Sequence, residues 1–137
     1  MDNLDLPDIN NCKVAIIGLG YVGLPLSISL AKNKFSLLTN KRTKRLSIGY
    51  DSNSKRVKDL NHSIDSNNIF KVSELSNINS LKITDNKKFL KDVDIFIITV
   101  PTPLKENKEP DLSYIEDASI TVGESIKYEK KNKLIIY

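Results

Sequence analysis

An unbroken apolar run, Val14-Ala15-Ile16-Ile17, feeds straight into the glycine turn GLGYVG at Gly18 to Gly23. A β-branched run of this kind suits a strand covered on both faces, as in the interior of a parallel sheet, and parallel strands need helical crossovers. The strand is expected over Lys13 to Ile17. Beyond the turn, Leu24, Leu26, Ile28 and Leu30 alternate with period two, while Val22, Leu26 and Leu30 also form an i, i+4 row. Pro25 suits a first helical turn, where its missing N–H removes no hydrogen bond, and together with the context this favours a helix from Leu24.

Two segments compete for the second strand: Phe35 to Thr39, which follows the helix directly, and Leu46 to Tyr50, which ends at Asp51. Ser54 to Leu60 reads as a short helix and Asn61 to Asn68 as a polar loop. Leu81 to Thr84 is a short strand, and Asp94 to Val100 a strong one stopped by Pro101 and Pro103. Ser113 and Glu116 have capping-box spacing, and Ile115, Ala118, Val122 and Ile126 recur at helical intervals up to about Lys127. Leu134 to Tyr137 begins another apolar strand. The expectation is a doubly wound, mainly parallel α/β sheet over residues 13–137, preceded by a tail over 1–12 and truncated at its C-terminal strand.

Composition sets limits on this reading. A chain of 137 residues, 39% hydrophobic, can bury one core but not two. Much of the net charge of +4 comes from Lys41-Arg42-Thr43-Lys44-Arg45 and the Lys127 to Lys133 stretch. No array of aromatic residues interleaves with those cations, so nucleic acid is not an expected partner. Cys12 is the only cysteine, which rules out an internal disulfide or a CxxC metal pair and reads as a small buried residue before the first strand. The acidic, polar stretch from Met1 to Asn11 lacks the pattern of a signal peptide, and no run approaches about 18 apolar residues. Neither a metal nor a membrane is expected, and the expected compartment is the cytoplasm.

The glycine turn has a physical rationale at each position. Gly18 permits the tight turn, Gly20 lets a pyrophosphate approach the backbone, and Gly23 lets helix and strand pack closely. The helix N-terminus then offers free N–H groups and a partial positive charge to phosphates. Such a site also needs an acid at the end of the second strand, and the first Asp or Glu after Asp8 is Asp51. If Leu46 to Tyr50 is the strand, Asp51 accepts from ribose hydroxyls and repels a 2′-phosphate, the requirement of NAD. If Phe35 to Thr39 is the strand, Asn40, Lys41 and Arg42 stand there instead, and the cations could grip the 2′-phosphate of NADP. Pro101 and Pro103 fix Thr102 on a rigid loop past the strong strand. His62 lacks a partner at metal or triad spacing, and Tyr50, Tyr114, Tyr128 and Glu116 read as packing and capping residues.

With those residues in hand, the chain resembles the UDP-glucose/GDP-mannose dehydrogenase family over nearly its whole length. The segments KVAIIGLGYVGLPLSISLAK, IGYDSNSKRV, DVDIFIITVPTPL and EPDLSYIEDASITVGESI carry the resemblance. TVPTP followed by PDLS is similar to the branch that oxidises UDP-N-acetylhexosamines. The resemblance implies a Rossmann-like NAD-binding domain in which Tyr21, Val22, Asp51, Arg56 and Thr102, with the three glycines, hold the cofactor. It implies oxidation of a sugar C6 alcohol to a carboxylate in two hydride steps through a thiohemiacetal, serving surface-polysaccharide synthesis. It also implies a UDP-sugar partner and a homodimer or higher oligomer when full length. The family's catalytic cysteine belongs to a later segment. Cys12 is not its equivalent, so no catalytic residue is assigned here and the chain is expected to bind cofactor without completing the reaction.

One departure stands out. Relatives pass from a short turn after the first helix into a strand resembling Val-Ile-Gly-Phe-Asp, so roughly nine residues between Leu37 and Ser47 look inserted, and each doubling of loop length costs only about 0.6 kcal/mol. If the insertion loops out, the ribose site survives; if it displaces the strand, the site is lost. Two alternatives follow: a non-catalytic nucleotide-binding module, and an NADP-dependent reductase using Lys41 and Arg42.

Overall fold

The computed structural model describes residues 6–76, 78 and 80–137. The order of elements is β1 (Lys13–Ile17), α1 (Gly23–Lys32), β2 (Leu46–Tyr50), α2 (Ser54–Asn61), α3 (Val72–Leu75), β3 (Leu81–Thr84), a 3₁₀ turn (Lys87–Leu90), β4 (Ile95–Ile98), α4 (Ser113–Ile126) and β5 (Leu134–Ile136). All five strands are parallel, in the order β3-β2-β1-β4-β5. The sheet reverses direction of growth between β1 and β4, which makes the carboxyl ends of those strands the crevice where an open α/β sheet receives ligands.

β1 explains why its sequence is apolar throughout. Val14 and Ile16 pack in a cluster with Leu26 and Leu30 of α1, while Ala15 and Ile17 pack in another with Ala118 and Val122 of α4. Both faces of the strand are therefore covered, and alternate residues serve opposite helices. Leu19, Leu24, Ile28, Leu60 and Leu75 form a third cluster beneath α1 and α2.

The competition for the second strand is decided for Leu46–Tyr50, which pairs with β1 in register from Lys13↔Leu46 to Ile17↔Tyr50. Its burial gives the reason. Ile48 and Tyr50 enter the core shared with α4. On the other face, Gly49 leaves room for Leu19, whose Cδ2 would lie 2.9 Å from a Cβ there. Phe35 to Thr39 offers nothing comparable, and its one ladder contact is an isolated antiparallel bridge from Phe35 to Arg42. Residues 34–43 thus form a small hairpin, closed by Thr43 N–H to the Lys34 carbonyl (2.7 Å) and Ser36 N–H to the Lys41 carbonyl (2.9 Å).

Other elements differ in detail from the sequence reading. The Ser113–Glu116 capping box is not made: α4 starts after Leu112 without a side-chain cap, and Asp111 Oδ1 accepts from Ser113 N–H at 3.1 Å instead. Asp94, Thr99 and Val100 fall outside β4, although Thr99 N–H still donates to the Ile17 carbonyl of β1 at 2.8 Å. α3 and the 3₁₀ turn had no periodic signal, being four residues each.

Candidate dinucleotide site

The carboxyl ends of β1, β2 and β4 open onto a cavity of about 470 Å3, lined among others by Gly18, Leu19, Gly20, Asp51, Asn53 and Arg56. Thr99 to Pro101 line it as well, together with Tyr114, Asp117 and Thr121 of α4.

The turn is built to a tight tolerance. Gly18 has φ +96°, a conformation that side chains disfavour, and a Cβ at Gly23 would overlap the Gly18 carbonyl oxygen and Thr99 Oγ1. Around Gly20 the space is open to 4 Å, which leaves the backbone approachable. The N–H groups of Gly20, Tyr21 and Val22 make no hydrogen bond among the described residues. Three unpaired donors at the start of a ten-residue helix fit an anion such as a pyrophosphate.

Leu19, between the first two glycines, is pinned from both sides. Its N–H donates to Asp51 Oδ2 at 2.8 Å, and its carbonyl accepts from Arg56 Nε at 3.1 Å and Nη2 at 3.0 Å. Asp51 Oδ1 accepts from Asn53 N–H at 2.9 Å. A carboxylate has about four lone-pair positions, so Asp51, half-buried at the cavity wall, keeps acceptor capacity on both oxygens for a pair of hydroxyls. The residues present therefore fit the two halves of an adenosine diphosphate moiety: free N–H donors for phosphate and a carboxylate for ribose.

Arg56 does more than line the cavity. Its Nη1 reaches Asp65 Oδ1 at 2.7 Å and Ser66 Oγ at 3.1 Å, so with the two bonds to Leu19 four of its five N–H donors are engaged. Asp65, whose side chain is fully buried, also accepts from the N–H groups of Asn67, Ile69 and Phe70. Burial by itself would raise the Asp65 carboxyl, but the Arg56 bond and the three backbone N–H groups outweigh it and hold it below the usual carboxylate range. The Arg56–Asp65 pair therefore ties the glycine turn to residues 65–70, two of which, Ser66 and Asn67, complete the cavity wall.

The residues named from sequence separate into groups. Gly18, Gly20, Asp51 and Arg56 meet at the cavity. Gly23 stands behind it, packed on Gly18, and the side chains of Tyr21 and Val22 are exposed outside its wall. Thr102 is exposed just ahead of the loop closed by the Leu104↔Pro110 bridge and does not line the cavity, whereas Thr99 and Pro101 do. Thr99 Oγ1 donates within reach of the Ile17 and Gly18 carbonyls (3.1 and 2.8 Å), so this hydroxyl fastens β4 to the turn. Thr99 and Asp65 were missed: Thr99 reads as part of the apolar strand Asp94 to Val100, and Asp65 as one more polar residue in a loop. Tyr114, read as packing, is half exposed at the cavity.

The basic cluster behind the NADP alternative stands elsewhere. Lys41 and Arg42 precede the first residue of β2, whereas Asp51 follows its last, a strand length of roughly 13 Å away. That alternative fails on position, because a 2′-phosphate at the carboxyl edge would meet Asp51 and not these cations. Cys12 is buried before β1, and burial pushes its thiol up, against a weaker opposing effect of Arg45; it remains a protonated packing residue. His62 is exposed, its Nδ1 2.7 Å from the Lys58 carbonyl.

A parallel sheet with reversed halves, a glycine turn at the switch point and an acid ending the second strand define a dinucleotide-binding domain of the Rossmann type. The sequence model for the UDP-glucose/GDP-mannose dehydrogenase family, NAD binding domain, matches residues 12–137, and the chain belongs to that family as its NAD-binding domain. It is 38% identical over 129 residues to a UDP-N-acetyl-D-glucosamine 6-dehydrogenase of Pseudomonas aeruginosa, covering 94% of this chain and 27% of the relative. Among solved structures it is similar to a UDP-N-acetyl-D-mannosamine dehydrogenase of Pyrococcus horikoshii, with 34% identity, TM-score 0.67, and coverage of 90% of this chain and 27% of that one. A GDP-mannose dehydrogenase from Pseudomonas aeruginosa gives 26% identity and TM-score 0.72, covering 89% of this chain and 27% of that one. The chain thus spans about a quarter of the length of these relatives. No helix among the described residues is long and apolar enough to cross a membrane.

Proposed function

We propose that this chain seats NAD for the oxidation of a nucleotide-sugar alcohol, with a UDP-N-acetylhexosamine oxidised at C6 as the substrate of the longer protein. The observation that carries the cofactor half is the position of Asp51, bonded to the glycine turn through Leu19 N–H while retaining acceptor capacity toward the cavity. The substrate half rests on relatives named as UDP-N-acetyl-D-glucosamine and UDP-N-acetyl-D-mannosamine dehydrogenases. A role in surface polysaccharide has support from the relative named Protein CapL. Cytoplasmic location and assembly as a homodimer or larger oligomer belong to the same reading.

When bound, NAD supplies the hydride acceptor. The chain's own residues bind and orient it. The N–H groups of Gly20, Tyr21 and Val22 receive the pyrophosphate, and Asp51 receives the ribose hydroxyls and rejects a 2′-phosphate by charge. Arg56 serves the site through the turn it clamps rather than as a free cation. Thr99 fixes the floor between β1 and β4, and Thr102 contributes from the loop beyond. The only cysteine is remote from the cavity, so these residues bring no thiol nucleophile to it.

Calorimetric titration of NAD and NADP tests the reading. Tighter binding of NAD, lost in Asp51→Ala and retained in Arg42→Ala, is the expected result; NADP preference that depends on Arg42 overturns it. Turnover of a UDP-sugar by this chain alone would contradict the absence of a nucleophile.

A further inference from the structure

The hairpin over residues 34–43 is an ordered element with no role in the cofactor site. It is fastened at its base by the Phe35↔Arg42 bridge and by Arg45 Nη2 and Lys34 Nζ, which bond the Asn33 and Arg45 carbonyls at 3.0 and 3.1 Å. Its turn is also formed: Asn40 has φ +50°, and its N–H donates to the Ser36 carbonyl at 2.8 Å. Yet this ordered tip buries nothing. Leu37 is 101% exposed, Leu38 86% and Phe35 65%. Contiguous apolar side chains held in water by a bonded hairpin mark a contact surface.

The charges beside them indicate what the surface contacts. Lys41, Arg42 and Lys44 are exposed and take part in no ion pair among the described residues. No acidic residue occurs between Asp8 and Asp51. We propose that this hairpin docks the protein on an anionic lipid surface, with Phe35, Leu37 and Leu38 entering the headgroup boundary and Lys41, Arg42 and Lys44 meeting lipid phosphates. Aliphatic side chains at the extreme tip with cations behind them match the layered polarity of a bilayer interface. A nucleic acid would instead be met by stacking aromatics or base-reading amides at the tip. No membrane partner was expected because no spanning run exists; a surface hairpin needs none. Its place at the amino end of β2 also leaves the cavity at the opposite edge open to cofactor and substrate.

The test is co-sedimentation of the chain with vesicles of phosphatidylcholine, with and without phosphatidylglycerol, at rising salt. Binding to the anionic vesicles alone, weakening as salt screens it, is expected. The Lys41→Ala/Arg42→Ala double variant should weaken it by roughly thirtyfold, taking two cations at the usual surface worth. Leu37→Glu/Leu38→Glu should abolish sedimentation, while thermal melting and NAD titration of both variants stay as in the parent. Equal binding to neutral vesicles, no vesicle binding, or wild-type binding by the tip variant each overturns the proposal. Capture of RNA or an acidic peptide that depends on the tip, without vesicle binding, does so in favour of that partner.

Discussion

The two ends of the sheet are built to opposite standards. At the carboxyl end the Leu19 peptide groups are bonded on both sides, Asp65 accepts four N–H groups, and Gly23 packs against Gly18 and Thr99 with no room for a methyl. At the amino end, leucines stand in water, while Asn10 Oδ1, Thr43 Oγ1, Arg45 Nε and Ser47 Oγ are buried without a hydrogen-bond partner among the described residues. A site that must present fixed donors to a ligand tolerates little change. A surface connection between helix and strand absorbs an insertion with little loss.

Substitutions can break or sharpen this contrast, and the largest effect belongs to the buried ion pair. Asp65→Ala leaves the Arg56 guanidinium uncompensated and should cost about 4 kcal/mol in urea unfolding, with NAD affinity falling as the turn loosens. The same carboxylate gives a pH dependence. Its folded pKa lies below the unfolded value of about 3.9, so its contribution is present above that pH and is lost as pH falls through the folded pKa. Stability of the parent should therefore drop on the acid side more steeply than that of Asp65→Asn, and matching acid limbs would contradict the assignment.

Next in size is Gly23→Ala, where the new methyl meets backbone rather than a flexible side chain; a loss of about 3 kcal/mol by thermal or urea unfolding is expected. Asp51→Ala should mainly affect binding. Losing hydrogen bonds to a charged acceptor is worth about 1.5–3 kcal/mol, which predicts NAD affinity lower by roughly tenfold to a hundredfold in calorimetry. Smallest is Leu37→Ser/Leu38→Ser at the hairpin tip, expected within about 0.5 kcal/mol of the parent and without effect on NAD. A large loss there would mean that the two ends are not energetically independent.

Much of the fold was legible in the sequence because burial leaves a local trace. β1 and β3 fall on their expected residues, and α4 ends one residue before Lys127, since alternation and helical recurrence directly record which faces are covered. The site was legible where backbone geometry demands glycine, at Gly18 and Gly23. Thr99 and Asp65 left no such trace, because a hydroxyl that reaches a neighbouring strand and a loop carboxylate that meets an arginine nine residues away owe their roles to partners that only the fold supplies.

By itself, then, the sequence determined the α/β class, the glycine turn at a strand–helix junction and the candidacy of Asp51, all properties of short stretches of chain. It left Phe35 to Thr39 and Leu46 to Tyr50 in competition, since both are short and apolar. Only the tertiary structure chose between them. Leu46–Tyr50 alone presents two large side chains to the α4 face and a glycine to Leu19 on the other, and a strand flanked by β3 and β1 must satisfy both faces at once. That choice carried Asp51 to the cavity and left Lys41 and Arg42 at the far end of the sheet.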